Sequence, residues 1–476
     1  MQTASSGLLE AKRPLLKKLL SELLKTYSYA SILAADSKGK WYSVSKQGTS
    51  ITEDDVYTEC GYVVKVYDGE SYGEYAFNQF EEADTGRILE KIKEHLVPWK
   101  QAVGECFSIK EYPVISEEAV SFEKSTDYEI HPQELGDEAI IHRLSAVRER
   151  ALSQEEALID CQAACQYQVF HKLFLSPDKE LTQNVMWTTG MMAAMAPRGE
   201  EVKDTFVSCG GLCGAEALEE LEDKIPELLE NIRLLLKSEP MIPGEYDCIC
   251  TPEVTGMIVH EAFGHGVEMD MFVKKRALAE EYVGRQVASP MVTMHDGAAT
   301  IPQAATYFFD DEGTLAQDTV VIDKGILKQG ICDVQAGMAL GVSPTGNGRR
   351  QSTDRKAYTR MTNTYFEGGS DKVEDMIASI DYGFLLGNPS SGMEDPKNWG
   401  IQCMVNFARE IKNGQFTGKV FSPVVLTGYV PDLLKSISMM SERVELSGAG
   451  MCGKGYKEWV KVSDGGPYIK ARIRLG

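Results

Sequence analysis

The sequence lacks the features that mark membrane-spanning and nucleic-acid-binding proteins. No segment approaches the roughly 20 consecutive apolar residues that a membrane-spanning helix needs. Basic residues are scarce, with 49 Lys and Arg against 71 Asp and Glu, and the net charge of -22 would repel polyanions. We therefore predict that the protein binds neither membranes nor nucleic acids.

The cysteine pattern excludes a disulfide framework and a zinc ribbon. The 11 cysteines are spread over the whole length, and no two have the C-x-x-C spacing of structural zinc sites. Reduced thiols in a cytoplasmic protein fit this pattern. The leucine-rich N-terminal segment, which Lys17, Lys18 and Glu22 interrupt, is typical of an amphipathic helix beginning at Pro14 rather than of a secretory leader.

At 476 residues the chain is long for a single hydrophobic core, which favours two domains. We place the boundary in the segment 241–244, so the predicted domains are residues 1–240 and 241–476. Strand and helix patterns alternate in the first domain. From about residue 290 onward, short apolar runs alternate with turns, which is typical of antiparallel sheet. The predicted fold class is therefore α+β, with a β-rich C-terminal domain.

Helical periodicity marks three stretches of the predicted N-terminal domain. Apolar residues recur at helical spacing at about 82–96, 135–164 and 215–237. Ser153 and Glu156 are spaced as a capping box, at which the second helix would restart. Pro226 is expected to kink or divide the third helix.

The most distinctive chemical motif is HEAFGHGVEMD at residues 260–270. Two of the 7 histidines, His260 and His265, stand close together in it, and Glu261 directly follows the first. Imidazoles and carboxylates at this density are typical of a divalent-metal site with a general base attached. The alternative is a helix end whose histidines cap carbonyl groups or pair with nearby acids, and the spacing alone leaves both open.

The separation of the two histidines departs from the H-E-x-x-H pattern, because His265 follows His260 at i+5 instead of i+4. On a regular α-helix, residues i and i+5 differ by about 140° around the axis. Both rings can reach one ion only if the turn widens into a π-type bulge, or if the helix ends near Gly264 and the chain turns back. Gly264 and Gly266 permit either geometry.

Two histidines are too few for a catalytic zinc site, which usually takes three protein ligands. Glu268 and Asp270 are close in sequence, and any of the 11 cysteines is possible in principle. Cys452 differs from the others because it lies in the glycine-rich stretch 448–455, where backbone can approach a ligand closely. The residues alone leave the third ligand open.

The stretch SPTGNGRR at residues 343–350 invites comparison with a phosphate loop. It lacks the G-K-[ST] ending and the strand-to-helix setting of that motif, so a flexible polar loop is the simpler interpretation. In an amide hydrolase this stretch could instead hold a peptide. We accordingly predict Asn347 and Arg349 as substrate contacts.

Several segments together resemble the TldD/PmbA family, whose members are cytosolic zinc metallopeptidases once described as modulators of DNA gyrase. The resemblance is strong from about residue 240 to 455 and only general in the N-terminal half. It rests on motifs in a fixed order, namely HEAFGHGVEMD, residues 284–289, the turn at 310–313, SPTGNGRR, RMTNTY at 360–365 and MCGK at 451–454. The residues after Lys454 depart from the family pattern.

The resemblance implies a zinc (Zn²⁺) site and a peptidase mechanism. TldD-type subunits carry an H-E-x-x-x-H motif and a late cysteine ligand, so His260, His265 and Cys452 are the implied metal ligands. Glu261 would act as general base and take a proton from the metal-bound water as that water attacks the scissile carbonyl. The implied enzyme is a zinc-dependent metallopeptidase that hydrolyses peptides or unfolded polypeptides.

The resemblance also implies the surroundings of this site. Glu268 or Asp270 is expected to orient a histidine from behind. The C-terminal domain should be barrel-like, with the active site beside a channel in a dimer, where a peptide adds to a sheet edge. The partner is either a second copy or a TldE (PmbA)-like subunit, a type that lacks the histidine motif. Two other functions stay open, a non-catalytic scaffold or regulatory subunit and a metal-dependent hydrolase of small amides.

Overall fold

The computed structural model describes residues 1–53, 58–104, 111–455 and 458–476. Its N-terminal part is built on one sheet with strands β1 (Tyr29–Ser45), β2 (Gly48–Thr52), β3 (Glu59–Tyr67), β4 (Tyr72–Phe77), β5 (Val120–Ser125), β6 (Asp160–Leu175), β7 (Lys179–Arg198) and β8 (Glu201–Gly211). The strand order is β4-β3-β1-β6-β7-β5, with β2 paired to β1 and β8 paired to β7. These pairings are antiparallel except that of β5 with β7.

Helices cover one face of this sheet. They are α1 (Gly7–Leu23), α2 (Thr85–Gly104), α3 (Pro132–Leu135), α4 (Asp137–Gln154), α5 (Ala217–Asp223) and α6 (Ile225–Leu236). Alternate strand residues, such as Ile32 and Leu173, pack with the helices because successive side chains of a strand point to opposite faces. Leu33 and Phe174 on the other face pack against Phe309 of the C-terminal part. The sheet is therefore covered on both sides.

The first helix begins earlier than predicted. It starts at Gly7, because the Ser6 side chain accepts a hydrogen bond from the Leu9 N–H and caps the helix there. Pro14 lies inside the helix instead of at its start. The buried face of this helix consists of Leu9, Leu16, Leu19, Leu20 and Leu23, as the helical spacing of the leucines predicted.

The helix predicted at about 135–164 is wrong in its second half. It ends at Gln154, and residues from Asp160 onward form β6, which pairs with β7 along its whole length and with β1 from Ala163. Small residues such as Ala163 suit a helix, but here the two neighbouring strands decide the conformation. The division at Pro226 is confirmed, since α5 ends at Asp223 and Pro226 lies in the first turn of α6.

The C-terminal part is rich in strands, as predicted. They are β9 (Gly244–Cys250), β10 (Met294–Asp296), β11 (Thr319–Asp323), β12 (Ile326–Leu327), β13 (Gly348–Arg349), β14 (Tyr358–Thr359), β15 (Asn363–Phe366), β16 (Tyr382–Asp395), β17 (Gly400–Lys412), β18 (Gln415–Phe421), β19 (Val424–Tyr429), β20 (Met439–Met440), β21 (Glu445–Ser447), β22 (Met451–Lys454), β23 (Glu458–Lys461), β24 (Ser463–Gly466) and β25 (Ile469–Leu475). Short helices join them, namely α7 (Pro252–Met257), α8 (Met269–Val273), α9 (Val334–Leu340), α10 (Val373–Ala378) and α11 (Val430–Lys435).

Strands β16, β9, β25, β19 and β17 close into a barrel, because β16 pairs with both β9 and β17. A second sheet has the order β12-β11-β10-β15-β24-β21, and β22 and β23 form a separate hairpin. The helix α7 follows β9 directly and packs between barrel strand β16 and strand β24. The predicted α+β class with a barrel-like C-terminal domain is confirmed.

The predicted domain boundary falls in the connection between α6 and β9. The division into residues 1–240 and 241–476 stays a prediction, because the two parts pack closely against each other. Among the described residues, four ion pairs cross between them, Lys65–Glu312, Lys172–Asp311, Arg350–Glu74 and Arg409–Glu230.

Among the described residues, no helix combines the length and the apolarity that a membrane crossing requires. The cysteines in this part of the chain are all free thiols. The prediction of a reduced, disulfide-free protein is therefore consistent with the structure, and cytoplasmic location stays a prediction.

Candidate metal centre

The histidine motif lies on a π-helix. The segment Ile258–Gly264 continues α7 with a widened turn, in which the His265 backbone N–H donates to the His260 carbonyl, five residues back. A 3₁₀ turn, His265–Val267, follows. A π-type turn brings residues i and i+5 onto one side of the helix. This is the first of the two geometries that the spacing of the histidines predicted.

Close packing around Gly264 holds the widened turn in place. A Cβ atom added to Gly264 would lie 2.2 Å from Met361 Sδ and 3.1 Å from the Val259 carbonyl oxygen. Gly266 is similarly confined, since its Cβ would lie 2.5 Å from Glu394 Oε1. Both glycines are therefore required by close approach of neighbouring groups.

We expect Gly264→Ala to destabilise the protein by about 1–3 kcal/mol, because the new methyl group must displace Met361 or the turn itself. Thermal unfolding of the metal-free protein measures this loss. Gly86→Ala is the matched control, since a Cβ at Gly86 meets no atom within 4 Å. Equal unfolding temperatures for the two variants would contradict the packing argument.

The π-turn brings both histidines to Cys452, which lies in β22. One ligand atom from each of His260, His265 and Cys452 lies within 4.8 Å of the other two. Cys452 Sγ is 3.5 Å from His265 Nε2, and the two imidazole rings have centroids 5.1 Å apart at an interplanar angle of 85°.

This donor set fits a zinc ion. Tetrahedral zinc, with Zn–N near 2.0–2.1 Å and Zn–S near 2.3 Å, requires its ligand atoms to be about 3.3–3.6 Å apart. The three atoms need only a small contraction to meet that requirement, and the Sγ to Nε2 distance already does. Two imidazoles and a thiolate are also ligands that zinc accepts readily.

The charges of the cluster favour the thiolate form of Cys452. Burial raises the pKa of this thiol, but His260 and His265 outweigh burial and hold the pKa well below its usual range. The Cys452 carbonyl accepts a hydrogen bond of 2.5 Å from Arg360 Nη2, and Arg360 Nη1 donates to the Glu458 carbonyl on the facing strand. Arg360 therefore fixes the hairpin that carries the thiolate.

Glu268 supports His265 from behind, as predicted for Glu268 or Asp270. Its Oε2 lies 3.2 Å from His265 Nδ1. Lys454 Nζ binds the same Glu268 oxygen at 3.0 Å, Asp270 Oδ1 at 2.7 Å and the Thr359 carbonyl at 3.0 Å. Asp270 thus acts on the histidine only through Lys454, a residue for which we predicted no role. Lys454 could have been identified from the sequence by its position in the MCGK motif, two residues after Cys452.

Lys454→Met is expected to destabilise the protein by about 3–5 kcal/mol, because it leaves the buried carboxylates Glu268 and Asp270 without their common cation. Denaturant unfolding with and without zinc measures the change. Lys25→Met is the control, since Lys25 pairs with Glu22 on the surface and its loss should cost about 0–1 kcal/mol. A loss no larger than the control's would show that the buried pairs are not needed.

Glu261 lies beside the cluster without belonging to it. Its Oε2 is 3.9 Å from His265 Nε2, and its side chain stays 28% exposed. Its stem packs so closely on Gly392 that a Cβ there would lie 2.6 Å from Glu261 Cγ. Burial raises the pKa of the Glu261 carboxyl, although the two imidazoles act in the opposite direction. A fixed carboxylate with a raised pKa suits proton transfer.

Asp464 is a further acid near the cluster that sequence reasoning missed. It lies in β24, in the segment that departs from the family pattern, so no motif pointed to it. Burial raises the pKa of Asp464 to about 6, and the charges of His260 and Cys452 act on it. The His260 Nδ1 atom is buried and has no hydrogen-bond partner in the described part of the chain.

The two predicted substrate contacts differ in position. The Asn347 side chain is fully buried, donates to Asp296 Oδ1 and the Arg360 carbonyl, and accepts from Thr345 Oγ1. Its geometry gives no support to a substrate contact, because each of its polar atoms is already hydrogen-bonded. Arg349 lines a cavity.

The candidate metal centre lies in a part of the chain that matches known proteins. Residues 243–473 match the family model described as PmbA/TldA metallopeptidase C-terminal domain. The chain is 32% identical over 281 residues to a metalloprotease of Methanothermobacter thermautotrophicus, covering 59% of this chain and 61% of that protein. It is 34% identical over 241 residues to a metalloprotease TldD homolog of Buchnera aphidicola, covering 50% of this chain and 49% of that protein.

A zinc metalloprotease TldD homolog of Saccharolobus solfataricus is 28% identical over 315 residues, covering 65% of this chain and 69% of that protein. The matched region thus spans about half to two thirds of the length of these relatives. The part of the chain that the family model matches carries the histidine motif and Cys452.

Two solved structures share the fold over nearly the whole chain. A Thermotoga maritima protein crystallised as a candidate modulator of a DNA gyrase has a TM-score of 0.77 at 15% identity, covering 98% of this chain and 100% of that one. TldE from Thermococcus kodakarensis has a TM-score of 0.75 at 17% identity, covering 97% and 99%. At these identities the likeness concerns the fold alone.

Proposed function

We propose that the chain is a zinc-dependent peptidase of the TldD/PmbA family, with His260, His265 and Cys452 as metal ligands. The observation that carries the proposal is the convergence of these three side chains, with Glu261 at their edge, from segments almost 190 residues apart in sequence. The names of the relatives, metalloproteases and in one case a zinc metalloprotease, support both the activity and the metal.

Each residue of the site has a distinct task in this proposal. When bound, zinc supplies Lewis acidity, which polarises a scissile carbonyl and lowers the pKa of water. Glu261 accepts the proton of the attacking water and delivers it to the leaving amine nitrogen. Glu268 fixes the His265 ring through Nδ1, so that Nε2 faces Cys452. Arg360 holds the Cys452 strand by its carbonyl.

We further propose that the substrate is a peptide or an unfolded polypeptide, and that the protein acts as a dimer in the cytoplasm. The partner is a second copy or a TldE-like chain, and TldE from Thermococcus kodakarensis shares the fold of this chain. Native mass measurement of the chain alone and mixed with a TldE-like chain tests this. A monomer under both conditions would contradict the assembly.

The function itself is tested by cleavage assays on the zinc-loaded protein. An unfolded polypeptide and a dipeptide amide are offered in parallel, each with and without a chelator. We expect chelator-sensitive cleavage of the polypeptide. Cleavage of the dipeptide alone would favour a small-amide hydrolase. Stoichiometric zinc without any cleavage would favour a scaffold or regulatory subunit.

A further inference from the structure

A cavity lies behind the hairpin that carries Cys452, between that hairpin and the face of the N-terminal sheet that the C-terminal part covers. Cys452 pairs with Val460, and Met451 pairs with Lys461. Because successive residues of a strand point to opposite faces, Met451 and Lys461 point away from the histidines. Both line the cavity, together with Trp187 of β7. The cavity and the metal centre thus occupy the two sides of one hairpin.

Lys461 is buried in the wall of this cavity without a polar partner. Its side chain is 7% exposed, and its Nζ makes no hydrogen bond within the described ranges. The Lys461 Nζ atom lies over the Trp187 ring, 4.3 Å from the ring centroid. A buried ammonium group that faces only an aromatic ring is costly unless an anion joins it.

Arg349 is a second cation on the same cavity. Its Nη1 donates to the Met361 carbonyl at 2.6 Å, and its guanidinium lies over the Tyr307 ring at 5.5 Å. No carboxylate of the described residues forms an ion pair with it, and the same holds for Lys461. Arg349 therefore retains N–H donors that can serve a ligand.

The acids that line the cavity are already engaged. Asp311 pairs with Lys172, Asp310 accepts from the backbone N–H of Gly348 at 2.8 Å, and Glu59 accepts from the backbone N–H of Thr353. None of these contacts involves Arg349 or Lys461, so within the described residues both cations line the cavity without an ion-pair partner. Burial lowers the pKa of both groups, that of Lys461 to about 7, which is the response expected of cations without a counter-ion.

We propose that this cavity binds a carboxylate group of the peptide substrate, held between Lys461 and Arg349. The inference rests on the proposed peptidase function for the identity of the ligand. A free volume of about 80 Å³ accommodates a carboxylate and its adjoining methylene. A guanidinium fork and an ammonium group are suited to carboxylate oxygens.

Direct binding is tested with acetate on the full chain, without any cleavage. Sodium acetate replaces sodium chloride at constant ionic strength while tryptophan fluorescence is recorded, because Trp187 lies against Lys461. We expect a saturable change in the wild type, its loss in Lys461→Met and its retention in Lys372→Met, which removes an exposed lysine. Equal responses of wild type and Lys461→Met would overturn the proposal, as would a response to phosphate but not to acetate.

The unfolding temperature separates a binding role from a structural one. Removal of a buried amine without a partner should leave the unfolding temperature of Lys461→Met equal to that of the wild type or above it. A clear fall would show that the amine has a structural partner and would contradict the premise.

Cleavage of matched peptides identifies the source of the carboxylate. Four peptides combine a glutamate or a glutamine side chain with a free or an amidated C-terminus. The wild type should prefer one carboxylate by about ten- to hundredfold in kcat/KM, and Lys461→Met should remove that preference. Equal preference in both proteins would refute the subsite. Failure of the wild type to cleave any of the four peptides would instead refute the proposed function. The acetate titration would still show whether the cavity binds a carboxylate.

Discussion

Glu261→Gln is expected to reduce peptide cleavage by about 10²–10⁴-fold while the protein keeps its full metal content. The Glu261 carboxylate stands at the edge of the donor cluster, with Oε2 3.9 Å from His265 Nε2, and it is not one of the three converging ligands. Glutamine preserves the shape of the side chain but cannot accept the proton of the attacking water. The loss should appear in kcat, with KM little changed, because the proton moves only in the transition state.

The measurement pairs steady-state cleavage of an unfolded polypeptide with zinc quantification on the same preparation. Glu281→Gln is the matched control, since Glu281 lies exposed on a 3₁₀ turn and should behave as wild type. Near-normal cleavage by Glu261→Gln would show that Glu261 is not the general base. Loss of bound zinc together with loss of activity would show that Glu261 is a metal ligand.

The local geometry of the motif was largely predictable from the sequence. The i to i+5 spacing of His260 and His265 required a widened or broken turn, because helical geometry leaves few other ways to bring both rings together. The structure has the π-turn, with Gly264 at the point of closest packing. This prediction succeeded because all of the residues on which it depends lie close together in the sequence.

The long-range partners of the motif were not predictable from local pattern. The spacing of residues along a helix does not show which distant segment packs against that helix. Cys452 was therefore identified as a metal ligand only through family resemblance. Lys454 and Asp464 were missed for the same reason. Their importance comes from the carboxylates and imidazoles that tertiary folding brings to them. Residues 160–164 show the same limit in the fold, since pairing with the neighbouring strands overrides their composition.

The hairpin of β22 and β23 links the two proposed sites. Its one face presents Cys452 to the histidines, and its other face presents Lys461 to the cavity. Arg360 fixes both of its strands through the carbonyls of Cys452 and Glu458. A substrate anchored by its carboxylate behind the hairpin would therefore be positioned by the same element that completes the metal site.

Cys452→Ala is expected to abolish stoichiometric zinc binding and with it all cleavage. The thiolate is the one ligand supplied by the hairpin, and without it His260 and His265 remain as a two-ligand site on the π-turn. Loss of a supporting group around a zinc site typically costs about 10–100-fold in affinity, so loss of a ligand should cost at least that much. Zinc content after dialysis against a weak chelator measures this.

A gain of stability on zinc binding distinguishes ligand loss from misfolding. Zinc at about 100 times its Kd should stabilise the wild type by about 2.7 kcal/mol, because the ion binds only the folded chain. Cys452→Ala should unfold like the metal-free wild type and gain nothing from zinc. Cys332→Ala, in the same hydrophobic cluster, should keep both the metal and the gain. A Cys452→Ala protein with wild-type zinc affinity would mean that the third ligand lies elsewhere, and that the hairpin does not close the site.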